Sequence, residues 1–124
     1  WVFIASAAGL TSLMRASIGD IASAGGRDVA LAIFDECCAI AAHSGFAPRP
    51  AAVERGRAIM TAAGSTMTAS MYKDMVRGAP VEADHIIGDL LSRAARAESP
   101  APSVLRTAYV HLKAYEAQRA REAA

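Results

Sequence analysis

Aromatic residues are scarce in this 124-residue chain, at 6%, and neither sign of charge prevails, with 13 Lys and Arg against 12 Asp and Glu. A positive excess this small leaves no electrostatic footprint for a polyanion, so nothing points to a nucleic-acid partner. Disorder is excluded from the other side, because 53% of the residues are hydrophobic. Long apolar runs are also missing. The opening stretch, 1–13, falls short of the roughly 20 residues that span a bilayer, and it lacks a charged leader and a small-residue cleavage site. It reads as a buried core helix, and no membrane partner is expected. There are two cysteines, Cys37 and Cys38, adjacent in sequence. On a helix, neighbouring side chains point about 100° apart, which disfavours an unstrained disulfide. A reducing, cytoplasmic compartment follows most simply. No histidine or lysine stands beside these thiols at helical spacing, so they read as a buried structural pair.

Site signatures are equally thin. His43, His85 and His111 show no H-x-x-x-H spacing, and no metal site is expected. There is no G-x-G-x-x-G following a strand. The double glycine Gly25-Gly26 lacks the third glycine and the strand that would aim a pyrophosphate at a helix end. This chain alone should not hold a dinucleotide.

What the sequence does have is alanine, the best helix former, at spacings that suit close-packed helices. We expect an all-α bundle of five to seven helices in one domain, 1–124, since the length suits a single core. A first helix spans about 1–15, and a bend follows at Ala16 to Asp20, where Ser17 and Gly19 interrupt the apolar run. A second helix runs from Arg27 or Asp28, with Asp28 as cap, to His43; Val29, Ile33, Phe34, Cys37, Cys38 and Ala41 form its stripe, and Ser44-Gly45 ends it. Pro50 suits the opening turn of a third, which carries Val53, Ile59, Met60 and Ala63 on one face and stops at Gly64. Ser70 to Arg77 makes a short helix with Ser70 as cap, broken by Gly78. Pro80 then opens the clearest pattern, Ala83, Ile86, Ile87, Leu90, Leu91 and Ala94, with Glu82 and Asp84 in the first turn, where the helix dipole favours acids. Glu98 to Pro102 reads as a turn, Ser103 as the cap of a last helix, and Gln118 to Ala124 as a fraying tail. Met60, Met67, Met71 and Met75 read as gap-filling core.

The stretch from Ser70 to Ala94, SMYKDMVRGAPVEADHIIGDLLSRA, carries the chemistry. With the opening WVFIASAAGLTSL and the late AYVHLKAYE, it resembles the carboxy-terminal domain of ketopantoate reductases, the NADPH-dependent 2-dehydropantoate 2-reductases. The resemblance implies a helical substrate domain, of the kind seen in 6-phosphogluconate dehydrogenase-like proteins, that works against an amino-terminal Rossmann domain holding NADPH. That nucleotide domain is expected upstream of this chain, whose start, Trp1-Val2-Phe3-Ile4, shows neither a methionine nor a cap. The implied reaction is reduction of a small 2-keto acid, ketopantoate to pantoate in pantothenate biosynthesis. The match implies that Ser70 holds the substrate carboxylate and that Glu82 binds near the reacting oxygen. A general-acid lysine is implied directly before Trp1, so the fragment alone should not turn over, and no cofactor-binding residue is assignable within it.

Four positions depart from that pattern. Ile4, Ala8, Ile18 and Met67 stand where ketopantoate reduction usually has asparagines, which opens the alternative of another 2-keto acid. On composition alone Glu82 would be an acid complementing a helix dipole and Ser70 a cap, while Lys73 and Asp74 read as a solvated face or a local ion pair. A rival reading makes the chain a non-enzymatic helical dimerisation module. Either way an uncovered apolar face favours a homo-oligomer.

Overall fold

The computed structural model describes residues 2–94 and 103–123. Among these there are seven α-helices, α1 (Val2–Met14), α2 (Ile18–Ser23), α3 (Arg27–His43), α4 (Pro50–Met60), α5 (Ser70–Val76), α6 (Asp89–Ala94) and α7 (Val104–Ala123). A π-helical turn, Asp84–Gly88, leads into α6, and there is no strand. The expected all-α bundle is what the chain forms.

The first helix lies at the centre because it has no polar face to give to solvent: Ala5 through Ser12 are all buried. Its small residues let α3, α5, α7 and the π turn close in on it. A methyl group on Gly9 would stand 3.0 Å from Ile33 Cδ1 and 3.4 Å from the Ala108 side chain, so the α3 and α7 contacts depend on its absence. The hydroxyls that this burial traps turn back on the helix. Ser6 Oγ donates to the Val2 carbonyl and Thr11 Oγ1 to the Ala7 carbonyl, each at 2.7 Å. Ile33, Phe34 and Cys37 of α3, Met60, Met71, Met75, Ile87, Leu90, Leu105 and Leu112 complete the core. Three of the four methionines expected inside are there, whereas Met67 is 39% exposed.

Several local expectations need correction. The bend at Ala16 to Asp20 is instead the start of α2: the Ser17 side chain caps it by accepting from Asp20 N–H at 3.2 Å, as serines do. Gly19 is there for contact, since its N–H donates to the Ser65 carbonyl at 2.8 Å and a Cβ would come within 2.5 Å of the Ser65 backbone. The cap of α3 is Gly26, with no side-chain bond, and Asp28 lies inside the first turn. Helix α4 stops at Met60, before Ala63 and Gly64. The tail does not unwind, for α7 runs on to Ala123 as an exposed polar helix. Ser103 caps that helix as expected, its Oγ accepting from Arg106 N–H at 3.0 Å, and Glu36 Oε1 of α3 accepts from Leu105 N–H at 3.1 Å beside it. The expected turn at Glu98 to Pro102 lies outside the described residues.

Candidate functional site

Ser70 begins α5, and the residue before it fixes where that helix starts. Ala69, in extended backbone, is the cap: its carbonyl accepts from Lys73 N–H at 3.2 Å, and its N–H donates to Thr11 Oγ1 at 3.2 Å. Thr11 thus ties the start of α5 to the buried centre of α1. Ser70 is the first helical residue rather than the expected cap, which leaves its exposed hydroxyl without a partner among the described residues.

Beyond α5 the chain does not wind straight into the helix expected from Pro80. Arg77 closes α5, Gly78 turns at φ 74°, and residues 79–82 run outside regular structure. Two side chains of α7 hold this segment open. Arg119 Nε donates to the Gly78 carbonyl at 2.8 Å, and Tyr115 Oη donates to the Ala79 carbonyl at 2.7 Å. Val81 and Ala83 are both buried, so the intervening Glu82 faces outward. Glu82 therefore precedes the first turn, and its carbonyl accepts from Ile86 N–H at 3.3 Å as the π turn begins.

That turn is pinned through Asp84. Tyr109 Oη donates to Asp84 Oδ1 at 2.6 Å, and Lys113 Nζ donates to Oδ2 at 2.8 Å. These two bonds, Lys113 first, hold the Asp84 carboxyl below the usual carboxylate range, and the bonds to Asp84 and Glu116 raise the Lys113 ammonium. Gly88 gives Tyr109 room, because a Cβ would lie 3.1 Å from its ring. π turns of this kind recur at functional sites.

Ser70 and Glu82 line one open cleft of about 340 Å³, with Met71, Asp74, Arg77, Ala79, Pro80 and Ile86. It is not the largest hollow in the molecule. A groove of about 490 Å³ is bordered by Val2, Phe3, Phe34, Phe46, Pro48 and Ile59, but its lining is almost wholly apolar. The Ser70–Glu82 cleft brings a hydroxyl, two carboxylates and a guanidinium together with apolar walls, the mixture expected of a small polar ligand's site. His85 is exposed and stands off this lining, and no cluster of potential metal ligands occurs among the described residues. Arg77 and the α7 anchors Tyr109, Lys113 and Tyr115 were not singled out from sequence. The carbonyls and carboxylate that the α7 anchors bind lie 25 to 41 residues away, counting Arg119 as well.

Residues 1–116 match the family profile described as ketopantoate reductase PanE/ApbA, C-terminal. The chain belongs to this ketopantoate reductase C-terminal family. A curated relative, the uncharacterized oxidoreductase YkpB of Bacillus subtilis (strain 168), is 37% identical over 120 residues, which cover 96% of this chain and 39% of that protein. Among solved structures, a dimeric ketopantoate reductase from Staphylococcus aureus shares the fold, with a TM-score of 0.79 at 24% identity over 95% of this chain and 42% of that one. The chain thus spans about two fifths of the relatives it matches. Of the four positions expected to depart from the ketopantoate reductase pattern, Ala8 and Ile18 are sealed in the core, at 2% and 0% exposure, while Ile4 and Met67 are open to solvent.

Proposed function

We propose that this chain is the substrate-binding domain of an NADPH-dependent reductase of a small 2-keto acid. The observation that carries this reading is the shared cleft: Ser70, which opens α5, and Glu82, twelve positions on in the segment before the π turn, line one hollow, and their side chains have no partner among the described residues. In this reading the Ser70 hydroxyl donates to the acid's carboxylate, and the Glu82 carboxylate accepts from the hydroxyl formed at C2. The Ser70 contact orients the keto carbon for reaction, and the Glu82 contact forms as the proton reaches the C2 oxygen. The chain spans about two fifths of its relatives, and this reading assigns the dinucleotide to a domain outside it, which makes that domain its partner. When bound, the nicotinamide supplies the hydride that reduces the keto carbon. The proton that completes the hydroxyl comes from a donor outside 1–124, for which a lysine directly before Trp1 is the expectation, and the chain alone is then inactive. A cytoplasmic setting suits the two free thiols, and a homo-oligomer agrees with the dimer named for the S. aureus relative.

Ketopantoate, on the route to pantothenate, is the substrate the family suggests. The burial of Ala8 and Ile18 favours a related 2-keto acid as the second reading, because asparagines there would leave amides in the core, and the two aliphatic residues instead add to it. The test is NADPH oxidation by the full-length protein with ketopantoate, 2-oxoisovalerate and 2-oxoglutarate, repeated with Ser70→Ala. We expect one acid to be clearly preferred and Ser70→Ala to raise its KM by about 10-fold or more. Equal KM values would remove Ser70 from the site.

A further inference from the structure

The 2-keto acid reading leaves a charge problem in the cleft. Asp74 and Glu82 are both carboxylates on its lining, and an anionic acid entering between them would be repelled by each. Among the described residues, Arg77 is the one cation on that lining. It closes α5 and reaches back along the helix, Nη2 donating to Asp74 Oδ1 at 2.5 Å. Asp74 in turn lies four residues after Ser70, the spacing that puts two side chains on one helix face. The guanidinium is therefore held about one turn from the Ser70 hydroxyl, on the side of α5 that borders the cleft.

We propose that Arg77 is a specificity-determining residue that receives the substrate's carboxylate together with Ser70, and that Asp74 is its counter-ion in the empty site. The proposal rests on the reductase reading above. The chemistry fits, because a guanidinium offers several donors in one plane and binds carboxylates through two parallel bonds. Asp74 engages one nitrogen and leaves the others for the acid. The fold does not need the pair. Its side chains are 69% and 37% exposed, and exposed pairs at this spacing add little stability, so the arrangement can be altered without unfolding the domain.

The test measures steady-state kinetics of the full-length protein with whichever of ketopantoate, 2-oxoisovalerate and 2-oxoglutarate it reduces best. Arg77→Gln and Arg77→Met, the latter keeping the apolar stem, are expected to raise KM by roughly 10- to 100-fold while kcat changes by less than about 3-fold. Asp74→Asn, which removes the competing carboxylate, is expected to leave KM equal or lower. Wild-type KM should climb with ionic strength, and that slope should flatten in Arg77→Met. Unchanged KM in both Arg77 variants, with activity lost in Glu82→Gln, would overturn the role of Arg77 alone. Activity kept in Glu82→Gln would remove Glu82 from the site, and no reduction of any of the three acids by the wild type would overturn the reductase reading beneath it.

Discussion

Cys37 and Cys38 are adjacent, yet their surroundings set them apart. Burial beneath α1 pushes the Cys37 thiol from an ordinary 9.0 to about 12. Cys38 is half-buried, and its thiol is raised mainly by burial and by neighbouring Asp35. A thiol whose folded value is raised favours the folded state while protonated. Its contribution is therefore complete below pH 9 and is lost as the pH climbs from 9 towards 12. Thiol labelling of the native protein at pH 8 should show one accessible sulfur, Cys38, and one protected until unfolding, Cys37. Two equally fast thiols would contradict the packing of α3 on α1. The identity of Glu82 as a candidate came from its place in a pattern, but its outward direction comes from Val81 and Ala83, which are drawn into the core on either side. That alternation reads as three unremarkable residues until the core that claims two of them is known.

At the scale of elements, the sequence was most informative where one helix answers to its own pattern. The bounds of α1, α3 and α5 follow from apolar spacing and from Gly45 and Gly78, which take φ values of 87° and 74° just beyond α3 and α5. The misreadings fall where a distant partner decides. Ser17 and Gly19 look like breakers in isolation, yet α2 exists because Ser65 and Met67 receive its first N–H groups. Likewise Pro80 looks like a helix start, and residues 79–82 stay outside regular structure because Tyr115 and Arg119 bind the carbonyls of Ala79 and Gly78. Gly19→Ala tests the first of these. Alanine normally strengthens a helix, but here its methyl would strike the Ser65 backbone at 2.5 Å, which a side-chain rotation cannot relieve. We expect a loss of about 1–3 kcal/mol, seen as a melting temperature lower by roughly 4 °C or more. A variant as stable as the wild type would mean that α2 does not rest on residues 64–65.

For the molecule as a whole, a central small-residue helix brings α5 and the π turn to one edge, and α7 fastens the loop between them from behind. Thr11, Tyr109, Lys113, Tyr115 and Arg119 all act on the two segments that carry Ser70 and Glu82. The candidate site is thus a product of the tertiary fold, and sequence could name its two ends but not Arg77 between them. The central claim is that this cleft orients a 2-keto acid for reduction, and Glu82 is its most exposed point of failure. The direct measurement is kcat/KM for the preferred acid in full-length wild type and Glu82→Gln, with melting curves to verify folding. Loss of a positioned carboxylate predicts a drop of about 10- to 1,000-fold at unchanged stability; a Glu82→Gln enzyme as active as the wild type would contradict the account.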